Sequence, residues 1–337
     1  MKKRGGPERI FEMASFWQAR TLQTAVVMGV FDALEKGSRT ASGSLTAAQL
    51  ARRLKAKARS LELLLNALVG MGLLVKKRDR FSNSAEAARF LVTSSEASVA
   101  PNVAHGAYMW ESWGRLDESV RKNAPVRHER LRTHSPEVLR AFILAMHSGG
   151  RAKGERIARA VDLTGRKHLA DVGGGPGTYA IMFCRRYKGL RATVVDHGDV
   201  LEIAREVVAR SGLEARFDYM ACDFVEHKRM PGRYDAAWVS NIIHSYDERT
   251  NVAFLRKVVR ALEPGGLLVL QDFLLDEGRT EPAWASCFAL NMLVHTDGGR
   301  TYTEREVRGW FKRLGLRKVR RVKIELPNGA GIIAGEK

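Results

Sequence analysis

The stretch His168–Ala180, HLADVGGGPGTYA, reads as a short apolar strand, a glycine turn and the start of a helix. Asp171 sits at the end of the strand. Gly173, Gly175 and Gly177 follow in a D-x-G-x-G-x-G spacing, and the missing Cβ atoms let the backbone turn sharply and approach a ligand closely. Thr178 then begins a helix whose free N–H groups face the same place. A dinucleotide turn wants G-x-G-x-x-G, and counted from Gly173 the third glycine position holds Thr178. The phosphate-gripping G-x-x-x-x-G-K-[ST] loop is absent.

The continuation of the chain gives the turn its meaning. Arg191–Asp196, RATVVD, reads as the next buried strand and ends in an acid about twenty residues on, where an α/β nucleotide site places a carboxylate on ribose hydroxyls. A third strand, Ala215–Met220, leads into Cys222-Asp223-Phe224, an acid for an adenine amino group and a ring for its face. Asp171, Asp196 and Asp223 therefore stand at three successive strand ends. S-adenosylmethionine fits such a site, because it has a ribose diol, an adenine, an amino group and a sulfonium but no phosphate. A fourth strand, Tyr234–Ser240, runs into Asn241-Ile242-Ile243-His244, which places His244 near the rim as a candidate general base. A carboxylate on its other nitrogen would fix the tautomer, and Asp272, at the end of the fifth strand Leu267–Phe273, is nearest by topology. Methyl transfer from a sulfonium is an in-line displacement, so the protein must chiefly align the acceptor, shed water and remove its proton.

These residues need a parallel sheet with helices on both faces, which the strand and helix alternation from Lys167 predicts. Arg317–Glu325 and Ala330–Ala334 read as a terminal hairpin around Pro327-Asn328-Gly329. Upstream, Glu8–Glu35 carries helical periodicity, Thr46 caps a helix with Gln49 at the capping-box position, and Ser60–Met71 forms another helix. Leu73-Leu74-Val75, a basic turn at Lys76–Arg80 and Phe81 complete a winged-helix pattern. Its helix SLELLLNALVG offers few polar side chains to bases, so packing and dimerisation suit it better than DNA binding. Residues 101–160 read as all-helical, and their aromatics can wall a flat apolar pocket. The expected domains are thus 1–100 for dimerisation, 101–160 as a helical linker contributing to the acceptor pocket, and 161–337 for the cofactor.

At 337 residues the chain has room for two domains. No run approaches twenty apolar residues and the basic start has no apolar stretch after it, which reads as cytoplasmic. Cys184, Cys222 and Cys287 show neither metal nor disulfide spacing, so no metal is expected. The net charge of +19 is spread over many helix faces. It reads as a solvated surface that also favours an anionic small molecule, with nucleic acid a weaker partner.

Taken together, DVGGGPG, the Asp196 and Asp223 strand ends, NIIHSYDE, LEPGGLLVLQDF and NMLVHTDGGRTYTEREV resemble the S-adenosylmethionine-dependent O-methyltransferases of the caffeic acid and acetylserotonin type, with their bacterial small-molecule relatives. The resemblance spans nearly the whole chain. It implies a Rossmann-like methyltransferase sheet of seven strands, and a homodimer joined by its N-terminal winged-helix-like domain. It also implies a catalytic base at His244, with Asp171, Gly173, Gly175 and Gly177 on the methionine part of the cofactor, Asp196 on ribose, and Asp223 with Phe224 on adenine. Phe142 and Met146 fall in FILAM, similar to a segment that lines the acceptor pocket in the family, and His295 sits where it can touch acceptor. The plant enzymes flank their base with two glutamates; here Asp272 stands for the first and Thr301 for the second, and Tyr246 replaces a tryptophan. The preferred reading is methylation of a hydroxyl on an aromatic or polycyclic small molecule. The alternatives are C-methylation of a macrocycle such as a tetrapyrrole, or a winged-helix nucleic-acid-binding protein that uses the cofactor as a sensor ligand. An N-P-P-Y-type amino-methylation motif is absent after the fourth strand.

Overall fold

The computed structural model describes residues 6–38, 44–126 and 136–337. The basic start at residues 1–5 and the centre of the helical 101–160 stretch, residues 127–135, lie outside the described residues. The chain divides into two units, Met1–Trp110 and Glu111–Lys337, which share the 101–160 stretch between them.

In the first unit the apolar period of residues 8–35 belongs to three helices, Pro7–Ala14, Trp17–Val27 and Val30–Ser38. The breaks are local: Ser15 is extended at φ −76° and ψ 126°, and Gly29 turns the chain at a φ of 74°. Thr46 caps the helix Ala47–Leu54 through the expected reciprocal pair, Gln49 N–H donating to its Oγ1 at 3.2 Å and Thr46 N–H donating to Gln49 Oε1 at 2.9 Å. The next helix, Ala58–Gly70, turns Leu61, Leu65 and Leu68 into a core with Phe31, Leu34, Leu50 and Phe81. Strands β1 (Leu45–Thr46), β2 (Leu74–Lys77) and β3 (Arg80–Asn83) form an antiparallel sheet in the order β1-β3-β2.

In the second unit a mixed sheet is built from β4 (His168–Val172), β5 (Arg191–Asp196), β6 (Phe217–Ala221), β7 (Tyr234–Ser240), β8 (Leu262–Leu275), β9 (Tyr302–Thr303), β10 (Arg317–Arg321) and β11 (Ala330–Glu336). Its order is β10-β11-β8-β7-β4-β5-β6, with β9 paired to the end of β8. The seven-strand path and its antiparallel terminal hairpin are those expected from the sequence. β6 begins two residues late because Glu214–Arg216 coils into a 3-10 turn. β8 begins early because Leu262 pairs with Tyr234 across a register shift. β10 ends at Arg321 rather than running to Glu325.

Side chains alternate across the sheet, so Trp238, Leu267 and Val269 face the core under the helices Pro136–Ala160, Thr178–Arg186 and Gly198–Ala209. Leu268 and Leu270 face the opposite core, which the helices Glu248–Ala261 and Glu304–Arg313 cover. From β4 the chain winds outward through β5 and β6, then returns to the other side of β4 with β7. That reversal opens a crevice beyond the carboxyl ends of β4 and β7, where ligands of open α/β sheets bind. Among the described residues no helix is long and apolar enough to cross a membrane.

Candidate functional site

β4 delivers Asp171 to this crevice only 2% exposed. Its Oδ2 is buried without a hydrogen-bond partner among the described residues. Burial penalises the charged form, and it pushes the carboxyl up to about 7; the Ala180 N–H opposes this and the charge of Asp196 adds to it. The glycine turn follows, with Gly173, Gly175 and Gly177 at φ 62°, 53° and 71°. A Cβ on Gly173 would lie 2.4 Å from Ile242 Cδ1, so the Ile242 side chain, next to the turn that carries His244, packs directly on this glycine. A Cβ on Gly175 would meet nothing within 4 Å, so this part of the turn borders open space. Gly177 is the N-cap of the helix Thr178–Arg186 and offers no side-chain cap; in the helix's first turn the Ala180 N–H points at Asp171. His147, which the sequence does not single out, places Nδ1 2.9 Å from Thr178 Oγ1. Burial, then the charges of Arg151 and Arg210, hold its imidazole down to about 4, so it is neutral at physiological pH.

Asp196 ends β5 and fastens the turn from the side. Its Oδ2 accepts the Gly175 N–H and its Oδ1 the His197 N–H, each at 2.8 Å. Each oxygen keeps a lone pair for a further donor. Asp223 turns its Oδ1 to the N–H groups of Val225 and Glu226, both at 3.0 Å, and so shapes the loop after β6. Phe224 packs on Phe254 at 5.5 Å, and its Cε1 would be 3.4 Å from a Cβ on Gly173, so one ring edge borders the turn.

On the far side of the crevice, β7 is followed by Asn241 at φ 56°, a left-handed conformation that asparagine tolerates. A polar network holds this bend: Ser240 Oγ donates to Gln271 Oε1 at 2.8 Å, and Gln271 Nε2 donates to Asn241 Oδ1 at 3.2 Å. The bend leads into a 3-10 turn, Ile243–Ser245. Asn251, fully buried, clamps that turn by donating from Nδ2 to the carbonyls of Ile243 at 2.8 Å and Tyr246 at 3.1 Å. His244 is thereby held with Nδ1–H donating to Asp272 Oδ1 at 2.7 Å. The same oxygen accepts the Phe273 N–H at 2.8 Å, which locks the carboxylate in turn. Asp272 is 1% exposed and its Oδ2 has no partner among the described residues. A carboxylate on Nδ1 keeps the proton there and leaves Nε2 with a free lone pair.

Aromatic rings surround the imidazole. Phe288 meets it edge-on at 4.9 Å and Phe273 lies 6.0 Å away. Trp284 contacts Phe273 at 4.6 Å and stacks on Phe288 at 5.1 Å and 11°. Trp284 remains 42% exposed, so the cluster presents an open apolar face. Met146, on the helix Pro136–Ala160, is 37% exposed, and Phe142 packs against the first core.

The other sequence candidates make contacts within the protein. Tyr246 packs against Phe254 at 6.3 Å in the second core, and its carbonyl accepts the Tyr302 hydroxyl at 2.6 Å. Thr301, at the position of the second glutamate, donates to the Ala285 carbonyl at 3.3 Å. His295, expected to touch acceptor, uses both ring nitrogens within the protein: Nδ1–H donates to the Asn291 carbonyl at 2.9 Å, and Nε2 accepts the Ser112 hydroxyl at 2.7 Å. It is a clamp between two helices, with no nitrogen left for a ligand. Among the described residues no cluster of His, Cys, Asp and Glu is arranged to hold a metal, and Cys184, Cys222 and Cys287 are free thiols.

Comparison with known proteins places the whole chain beside enzymes of named activity. Residues 126–317 match the O-methyltransferase domain family and residues 12–94 the O-methyltransferase dimerisation domain. The chain is 33% identical to 3-hydroxy-5-methyl-1-naphthoate 3-O-methyltransferase of Streptomyces sahachiroi, over 98% of this chain and 95% of that protein. It is 29% identical to acetylserotonin O-methyltransferase of Mus musculus, over 90% of this chain and 82% of that one. The solved structure of PigF with SAH superposes with a TM-score of 0.88 at 26% identity, covering 99% of this chain and 100% of that one. The mitomycin 7-O-methyltransferase MmcR gives 0.82 at 27% identity, covering 98% and 96%. With both domain families in sequence along it and a relative one-third identical from end to end, the chain belongs to the S-adenosylmethionine-dependent O-methyltransferases.

Proposed function

We propose that this enzyme methylates a hydroxyl on an aromatic or polycyclic small molecule, with His244 as the general base and Asp272 holding it. The observation that carries this is the 2.7 Å contact between His244 Nδ1 and Asp272 Oδ1, placed beside an aromatic wall with an exposed Trp284 face. A flat acceptor stacks on such a wall, and Nε2 then takes the proton from its hydroxyl as the oxygen attacks. Asp272 stabilises the imidazolium that forms, without moving from its Phe273 N–H. Relatives support the acceptor class: the Streptomyces sahachiroi protein is named for a hydroxynaphthoate, and another, from Streptomyces glaucescens, for tetracenomycin polyketide synthesis.

Bound S-adenosylmethionine supplies an electrophilic methyl group on a sulfonium. The residues present suit it. Asp171, with its unpartnered Oδ2, and the glycines Gly173, Gly175 and Gly177 would hold the methionine part. Asp196 would take the ribose hydroxyls on its remaining lone pairs, and Asp223 with the edge of Phe224 would meet the adenine. Phe142 and Met146 would line the acceptor side. Titration of S-adenosylhomocysteine by calorimetry tests this half of the site. Asp196→Ala removes two acceptors for the ribose and the anchor of Gly175, and should weaken binding about 10²–10⁴-fold, as loss of two charged hydrogen bonds worth roughly 1.5–3 kcal/mol each requires. Unchanged affinity would remove Asp196 from the cofactor site.

The first unit supports a homodimer with a winged-helix-like domain as its interface. The helix Pro7–Ala14 buries none of its residues, and Phe11, Met13 and Trp17 are 72%, 70% and 76% exposed, an apolar face of the kind that a partner covers. Sedimentation equilibrium should give twice the chain mass, and Phe11→Asp with Trp17→Asp should shift it toward the monomer; a monomeric parent protein would refute the assignment. Three free thiols and no spanning helix among the described residues accord with a cytoplasmic enzyme.

A further inference from the structure

Lys153 lies on the helix Pro136–Ala160 with its Nζ 5.9 Å from the centre of the Phe273 ring, at the aromatic wall beside His244. It makes no hydrogen bond or ion pair among the described residues. Lys153 is half-buried; burial lowers its pKa and the charge of Asp272 works against that shift, so the ammonium lies within the field of the carboxylate that holds the base. Most other cations near acids in this unit are paired at the surface: Arg140 with Glu206 at 2.6 Å, Arg300 with Glu306 at 2.9 Å, Arg308 with Glu304 at 2.8 Å. A lysine drawn toward an apolar cluster without a partner is costly, and the cost is offset when a ligand supplies the counter-charge.

We infer that Lys153 is a specificity residue whose ammonium binds a carboxylate carried by the aromatic acceptor. The inference rests on the acceptor reading above and deepens it. An acceptor stacked on Phe273, Trp284 and Phe288 has its hydroxyl at His244 and a neighbouring ring substituent within the lysine's reach, so the pair fixes which hydroxyl meets the base. The +19 charge of the chain draws such an anion toward the protein before it docks.

The probes are 3-hydroxy-1-naphthoate and 2-naphthol, which share the hydroxyl-bearing ring and differ in the carboxylate. With the parent enzyme, kcat/KM should favour the naphthoate by tenfold or more. In Lys153→Met this preference should collapse, chiefly through KM, while Lys153→Arg should restore part of it. Affinity for S-adenosylhomocysteine, measured alongside, reports that the variants fold. Equal losses on both compounds would make Lys153 a positioning group for Asp272 and overturn the inference, as would an unchanged preference. If the parent enzyme in complex with S-adenosylhomocysteine neither binds nor methylates either compound, the acceptor reading itself fails; binding of both without preference overturns the inference alone.

Discussion

His244→Ala is expected to lower kcat for a hydroxynaphthoate by about 10²–10⁴-fold, the usual worth of a positioned general base, while leaving affinity for S-adenosylhomocysteine within a factor of about three. The separation follows from the fold. His244 sits on the turn after β7, whereas the proposed cofactor contacts come from β4, β5 and the loop after β6. The turn is held by backbone carbonyls bonded to Asn251, so losing the imidazole does not release it. The residual rate comes from alignment of acceptor and methyl donor. It should also rise about tenfold per pH unit until the acceptor hydroxyl ionises by itself, because a phenolate needs no base. A variant rate that is flat with pH, or close to the parent rate, would show that His244 does not take the proton. Steady-state assays with labelled cofactor across pH give both quantities.

Replacing Asp272 should be the next most damaging change, and its two variants should differ. Asp272→Ala leaves the His244 Nδ1–H without an acceptor in a buried site and frees the ring to turn, which should cost about 10²–10³ in kcat. Asp272→Asn should cost less, about 10–10²-fold. The Phe273 N–H, now 2.8 Å from Oδ1, selects the amide oxygen for that position, so Nδ1–H keeps its acceptor and loses only the negative charge. Equal losses in the two variants would mean that charge alone matters and orientation does not. No loss in either would detach Asp272 from the chemistry.

The parts of this site that the sequence discloses are those whose signal is local. The glycine spacing after a strand and the acids at successive strand ends are contained in short stretches. His244 and Asp272 come from neighbouring strands, so the strand count alone brings them together. The reciprocal cap of Thr46 and Gln49 is legible for the same reason. What the sequence does not disclose depends on packing between distant segments. Trp284 and Phe288 sit in AWASCFALNMLVH, a helix apolar all round, where no periodicity marks the ring that meets His244 or the one stacked on it. Lys153 is one of 56 Lys and Arg residues, and nothing in its neighbours distinguishes it from those at the surface. His295 is a further case: nothing in its own stretch announces that Ser112, far off in the chain, meets its Nε2. Glu8–Glu35 reads as one helix because its period survives the breaks at Ser15 and Gly29.

A crystal structure with S-adenosylhomocysteine and 3-hydroxy-1-naphthoate tests the role of His244 most directly. The naphthoate is expected stacked on Trp284 and Phe288, with its hydroxyl about 2.6–3.2 Å from His244 Nε2 and its oxygen in line with the sulfur. A hydroxyl turned away from Nε2, toward another base or toward solvent, would contradict it.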